Sequence, residues 1–358
     1  MSCVLHRDNV PRTKWRPGPS AQANSLSRYL STKSIGRPSK FSSMLWRSVF
    51  RLFPDDREPA ALAVRNWRDG GCAKRQAQAA AARATQLKAM REEQSISPSG
   101  DAEATAISWT GGKDCNLALL SAWRLPTLNV TTLVVFAPKG GFGFHAHPIR
   151  LMEAQAEALG LTLRIMSLPS DKPHKEGYID AIRHLRDENG ITVLGTGDMD
   201  LVGAMSTNWI DDCCQAVGGI RAYLPLWKAD RITCLNTLVS ENFHVVYSCV
   251  KQPWFDKSWV GRRMDEEAIQ EMKQKSTDSG AIAHDNGLSP EGQKLDMGGE
   301  NGEYHTMCLG GPMYSRIIGL EKTEPKEFQS EPAKEGELRW WTYDSQKWWT
   351  IGEVKIQA

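Results

Sequence analysis

Between residues 103 and 273 the chain alternates short apolar runs with stretches whose apolar positions recur every three or four residues. Thr105 to Trp109 reads as a short buried strand, and from Asn116 onward Leu117, Leu120 and Ala118, Ala122 fall at helical spacing. Val130 to Phe136 is a β-branched run of the kind buried on both faces of a sheet. Pro148 to Leu159 predicts a helix, with proline at its start and Gly160 closing it. Leu163 to Leu168 predicts a third strand, Lys175 to Glu188 a helix ending near Gly190, and Ile191 to Gly195 a fourth strand. Helices over Trp209 to Val217, Thr233 to Glu241 and Asp265 to Lys273 follow, with a fifth strand over Val245 to Val250. Strands separated by helices of this length imply an α/β, doubly wound, mostly parallel sheet with helices on both faces. Ligands of such sheets bind beyond the strand C-termini. Gly111-Gly112 and Gly195-Thr196-Gly197-Asp198 both fall on that rim.

The flanks read differently. Within residues 1–58, the residues before Asp55 carry basic side chains from Arg7 to Arg51 against a single acid, Asp8, and are rich in serine. They predict a disordered basic extension; a transit peptide for mitochondrion or plastid is one reading, an untargeted tail or an inaccurate start is the other. Residues 59–102 predict an alanine-rich helix or linker, and Ser276 to Leu295 a polar loop. In the tryptophan-rich segment 321–358, Arg339 to Ile351 predicts a hairpin with its tryptophans facing each other or covering the core. No run of eighteen apolar residues exists, so no membrane span is expected. A net charge of +2 does not suggest a nucleic-acid binder. None of the eight cysteines forms a Cys-x-x-Cys pair, which excludes a zinc ribbon or thioredoxin motif and leaves reduced thiols. Cys213 and Cys214 are expected on a helix with one of them buried.

Two clusters carry candidate chemistry. The first is Ser108-Trp109-Thr110-Gly111-Gly112-Lys113-Asp114-Cys115, a glycine turn between strand and helix. Such a turn presents unpaired N–H groups at the positive end of a helix dipole, where phosphate binds, and Lys113 adds a charge. It is not a Walker loop, because Ile107 and Asp114 stand where that loop needs glycine and Ser or Thr. The second cluster is Asp296-Met297-Gly298-Gly299-Glu300-Asn301-Gly302-Glu303-Tyr304-His305-Thr306. Its glycines permit close backbone approach, and Glu300, Glu303 and His305 suit a cationic substrate or proton transfer. An acidic surface turn leading into a strand is the plainer alternative.

The first cluster resembles the pyrophosphate loop of the ATP pyrophosphatases, with Thr110 at the first serine position and Cys115 at the last. Both clusters together, with Gly197-Asp198-Met199, Pro225-Leu226-Trp227, Leu151 to Gly160 and Trp259-Val260-Gly261-Arg262-Arg263 in the same order, resemble the diphthine–ammonia ligase family. The likeness spans about residues 103–320, and Gly298 replaces that family's usual cysteine. It implies an adenine nucleotide alpha hydrolase-like domain over 103–228 and a substrate-binding region over 229–320. The implied reaction is ATP-dependent amidation, by ammonia, of diphthine on translation elongation factor 2, a cytoplasmic reaction without nucleic acid or membrane.

In that scheme Ser108, Thr110, Gly111, Gly112, Lys113, Asp114, Cys115, His145, Gly197 and Asp198 hold ATP, and Asp114 or Asp198 holds Mg²⁺. Gly299, Glu300, Asn301, Gly302, Glu303, Tyr304 and Thr306 meet the substrate, with Lys113, Glu300, Glu303 and His305 catalytic. The alternatives are another adenylating enzyme of the same loop class, acting on tRNA or a small carboxylate, or a non-catalytic ATP-binding relative.

Overall fold

The computed structural model describes residues 98–138, 148–169, 171–201, 206–285, 294–321, 324–329, 347–351 and 356–357. The expectations for residues 1–58 and for nearly all of 59–102 lie outside these, as do Cys3, Cys72, His145, His147 and the Trp340-Trp341 pair.

Five strands form a parallel sheet: β1 (Glu103–Ser108), β2 (Leu128–Pro138), β3 (Thr162–Leu168), β4 (Val193–Gly195) and β5 (Arg221–Tyr223). Their spatial order is β3-β2-β1-β4-β5. The chain therefore moves outward from β1 to β3, then returns to the other side of β1 for β4. The strand ends between β1 and β4 are the switch point where open α/β sheets bind ligands.

Alternation along the strands divides two apolar layers. Ile107, Leu133 and Val135 face α1 (Lys113–Trp123) and α2 (Ile149–Leu159). Ala106, Val134 and Phe136 face α3 (His174–Asn189) and α4 (Trp209–Val217) through Tyr178, Ile182, Leu185, Ile210, Cys213 and Cys214. Both cysteines of the adjacent pair are thus buried, not one: they sit where α4 meets α3 and the sheet. The helices stop as expected, with Gly160 and Gly190 in the left-handed conformation after α2 and α3.

The C-terminal half corrects the expected sheet. β6 (His244–Lys251) is not a fifth parallel strand but the hub of a second, antiparallel sheet. It pairs with β7 (Tyr304–Gly310) and β9 (Lys347–Thr350), and β8 (Lys326–Gln329) pairs with β9, in the order β7-β6-β9-β8. A buried β-branched run looks alike in either kind of sheet, and the place of fifth parallel strand goes to the three-residue β5. Of the segment expected to form a tryptophan hairpin, residues 339–346 lie outside the described residues; the described part includes β9, which pairs antiparallel with β8. Three α-helices, α5 (Arg231–Ser240), α6 (Glu266–Thr277) and α7 (Ser279–Asp285), and a short 3-10 helix at Lys257–Trp259 complete the described elements. The loop expected from Ser276 is helical through α7, because the Ser279 hydroxyl reaches the Ser276 carbonyl at 2.8 Å and accepts Leu295 N–H at 3.1 Å. Among the described residues no helix is long and apolar enough to cross a membrane.

Candidate functional site

The glycine turn leaves β1 at half-buried Ser108 and enters α1 with Gly112 as its N-cap. Gly111 has φ +81°, and a Cβ there would meet Gln155 Oε1 at 2.5 Å, so the turn needs glycine twice over. Its carbonyls are held from behind. Gly111 O accepts from Gln155 Nε2 at 2.8 Å and from Cys308 N–H of β7 at 2.9 Å. Gly112 O accepts from Asn116 Nδ2 at 2.8 Å, and Asn116 Oδ1 in turn accepts from Tyr314 Oη at 2.7 Å. Thr110 is exposed at the rim. Cys115 is buried, and burial pushes its thiol up to about 11 although the Thr110 and Gly111 amides face the sulfur. It stays a thiol, donating to Gly112 O at 3.2 Å.

Lys113 departs from expectation. The residue is 4% exposed, and its ammonium contacts both Asp114 oxygens (2.7 and 2.8 Å) and Gly298 O (2.5 Å). Burial opposes its charge, but Asp114, Glu300 and Asp296 outweigh it and raise the pKa. The charge therefore faces the second loop rather than standing free above the glycines. Lys113 N–H donates to Thr306 Oγ1 at 3.0 Å, so buried Thr306 serves the α1 N-terminus.

Across the rim, Gly197 packs on the first turn of α1. A Cβ there would lie 2.5 Å from the Asp114 carbonyl carbon and 2.7 Å from Cys115 N. Half-buried Asp198 accepts from Thr196 Oγ1 at 2.8 Å and Asn208 Nδ2 at 2.9 Å. Burial and the neighbouring Asp114 raise its pKa. Among the described residues no three His, Cys, Asp or Glu side chains gather where they would hold a metal. With Asp114 on Lys113 and Asp198 on its two donors, this pair does not fit a resident Mg²⁺ site.

The 296–303 loop is folded around two carboxylates. Glu303, 1% exposed, accepts from Asp296 N–H (2.9 Å), Asn301 N–H (3.0 Å) and Asn301 Nδ2 (3.3 Å). Asp296 Oδ1 accepts from Gly298 N–H at 2.7 Å and Glu300 N–H at 3.3 Å. Gly299 and Gly302 take the left-handed turns this requires. Glu303 is therefore an internal scaffold of the loop. Burial raises its pKa, while Lys251 opposes the rise. Tyr304 is also internal: its hydroxyl donates to Met297 O at 2.7 Å, and its ring lies 5.4 Å from the Lys113 ammonium. His305 stacks on Trp348, and burial pushes its pKa down to about 4, so the imidazole is neutral near pH 7.

Glu300 and Asn301 are left at the surface. Crowding of the Glu300 carboxyl by protein, and then the charge on Asp114, push its pKa up to about 8 against the pull of Lys113. Asp296 also bridges to Arg231 Nε (3.5 Å), whose Nη2 donates to Asp200 at 2.9 Å, which links this loop to the segment after β4.

Gln155, Asn116, Asp296, Arg231 and Tyr314 organise the site, yet their roles were not read from sequence. Gln155 alone left a local signal: an amide on the apolar face of α2 among Leu151, Met152 and Leu159, where a buried polar group demands partners.

A glycine loop at the switch point of a parallel sheet, braced by an antiparallel sheet that carries a carboxylate-rich loop, defines the class: an α/β protein of two cooperating sheets. Residues 103–221 match the family model described as the diphthamide synthase N-terminal domain, and residues 231–332 that described as the diphthamide synthase C-terminal domain. The chain belongs to the diphthamide synthase family, which implies a ligase of diphthamide biosynthesis. No curated protein matches it.

Proposed function

We propose that this protein is a diphthine–ammonia ligase acting on translation elongation factor 2 in the cytoplasm. A carboxylate oxygen of diphthine attacks the α-phosphorus of ATP, and pyrophosphate leaves. Ammonia then attacks the acyl carbon of the adenylate, AMP departs with the C–O bond electrons, and nitrogen loses a proton to give the amide. A carboxylate resists ammonia until its oxygen becomes a good leaving group, and adenylation supplies one.

The observation that carries this reading is the opposed polarity of the two loops joined at Lys113. The Gly111–Gly112 turn has its carbonyls tied back, which suits phosphate oxygens. The 296–303 loop has its amides tied inward and Glu300 at its surface, which suits ammonium or the trimethylammonium of diphthine. With a pKa near 8, Glu300 is matched to take the proton as nitrogen attacks. Lys113 links the acceptor loop to the turn, so both sites keep one register. Magnesium ion belongs with the incoming phosphates in this reading, since the donor set holds no resident site.

Mass spectrometry of elongation factor 2 from cells lacking the protein tests the assignment. Diphthine in place of diphthamide is expected; unchanged diphthamide overturns it.

A further inference from the structure

Gln155 is 0% exposed, and both its amide donors and its carbonyl oxygen are engaged. Oε1 accepts from Trp109 Nε1 at 2.9 Å, while Nε2 donates to Gly111 O at 2.8 Å and Cys308 O at 2.7 Å. Two carbonyls on one side and an indole N–H on the other leave no alternative orientation for the amide.

A trans peptide is planar, so the Gly111 carbonyl and the Gly112 N–H point in opposite directions. Holding Gly111 O from the side of α2 and β7 aims Gly112 N–H away from both. The next peptide is occupied at both ends: Gly112 O accepts from Asn116, and Lys113 N–H donates to Thr306. Among the described residues Gly112 N–H meets no acceptor.

We infer that Gln155 is a positioning residue that turns the Gly111–Gly112 peptide so that Gly112 N–H donates to a phosphate oxygen of the nucleotide. The inference rests on the ATP-dependent reading above. It adds a buried side chain on a neighbouring helix, held in register by the second sheet, to what shapes the loop.

The test is ATP binding by calorimetry to the wild type, Gln155→Met and Gln155→Glu, with thermal unfolding followed in parallel. Gln155→Met keeps the volume but loses both donors, and about tenfold weaker ATP binding is expected. Gln155→Glu sets a carboxylate against two carbonyls. Protonation restores one donor, so its ATP affinity recovers as pH falls from about 8 to about 6, a dependence the Met variant lacks. A change of stability alone would not give that contrast.

Equal ATP affinity in folded variants overturns the inference while leaving the enzyme assignment standing. A wild type that binds no ATP overturns the assignment itself. Should neither variant fold, ¹⁵N-glycine NMR of the wild type decides: ATP is expected to shift the Gly112 amide strongly, and an unmoved resonance overturns the inference.

Discussion

The two loops that meet at the Lys113 ammonium use their backbone hydrogen bonds in opposite ways. In the turn after β1, the carbonyls of Gly111 and Gly112 are bound by Gln155, Cys308 and Asn116, and the Gly111–Gly112 peptide presents the positive end of its dipole to the rim. In the loop before β7, the amides of Asp296, Gly298, Glu300 and Asn301 are bound by Asp296 and Glu303, and the carbonyls of Gly298 and Asn301 accept from the ammonium groups of Lys113 and Lys251. One loop is built to face an anion and the other a cation. Neither polarity comes from its glycines alone: each depends on buried side chains that hold the unwanted end of the peptide.

If that division is functional, the two half-reactions separate by mutation. Glu300→Gln removes the one carboxylate the second loop leaves at the surface. Amide formation is expected to fall about 100-fold or more, the usual worth of a general base, with ATP–pyrophosphate exchange retained. Loss of exchange would place Glu300 on the nucleotide side and break the comparison.

Glu303→Ala attacks the same loop from within, stranding two backbone donors and an asparagine amide. About 3 kcal/mol of stability is expected to be lost, or roughly 6–12 °C in Tm. A calorimetric Tm within a degree or two of the wild type would show that the carboxylate does not organise the loop.

These side chains also mark where sequence reading stops. The parallel sheet from β1 to β4 was legible, because Val130 to Phe136, the Gly160 and Gly190 stops and the Gly111-Gly112 turn are local signals with local causes. The second sheet was not. β6 pairs with β7 more than fifty residues later, and nothing within Val245 to Val250 says which strand, or which direction, will complete its ladder. Both chemical loops were found from their glycines and charges, but roles within them were not. Glu300 and Glu303 look equivalent in sequence; burial makes one a scaffold and leaves the other outside. That Thr306 accepts from Lys113 N–H, 193 residues earlier, is likewise set by the fold and has no local signal.

Thr306→Val makes a finer cut, removing the acceptor that β7 offers to the first turn of α1 while keeping its shape. About 1 kcal/mol is expected to be lost, with ATP binding weakened more than ammonia use, because the vacated N–H belongs to the phosphate turn. Thr306→Ser keeps the hydroxyl and is expected to stay near wild type. Isothermal titration with ATP distinguishes them, and equal affinity for Val and Ser would assign the hydroxyl no part in shaping the turn.

The smallest effect is a dependence of stability on pH that only the second loop should show. The Glu300 pKa rises from 4.5 to about 8 in the folded protein, through crowding of its carboxyl by protein first and the charge of Asp114 second. Between these values the folded protein holds a proton that the unfolded chain has released. The contribution to stability is therefore fully present below about pH 4.5 and lost as pH rises through about 8. Glu300→Gln does not titrate, so its Tm should climb relative to wild type between about pH 5 and about pH 9. Partial exposure of the residue keeps the difference small. Tetramethylammonium chloride, set against sodium chloride at equal ionic strength, sharpens the reading. A cation held beside the carboxylate favours its charged form, so the gap between the two proteins should narrow in the quaternary salt. A gap that ignores pH would remove the electrostatic basis for treating the second loop as a cation site, and one that ignores the cation would leave Glu300 raised by its neighbours without a ligand to relieve it.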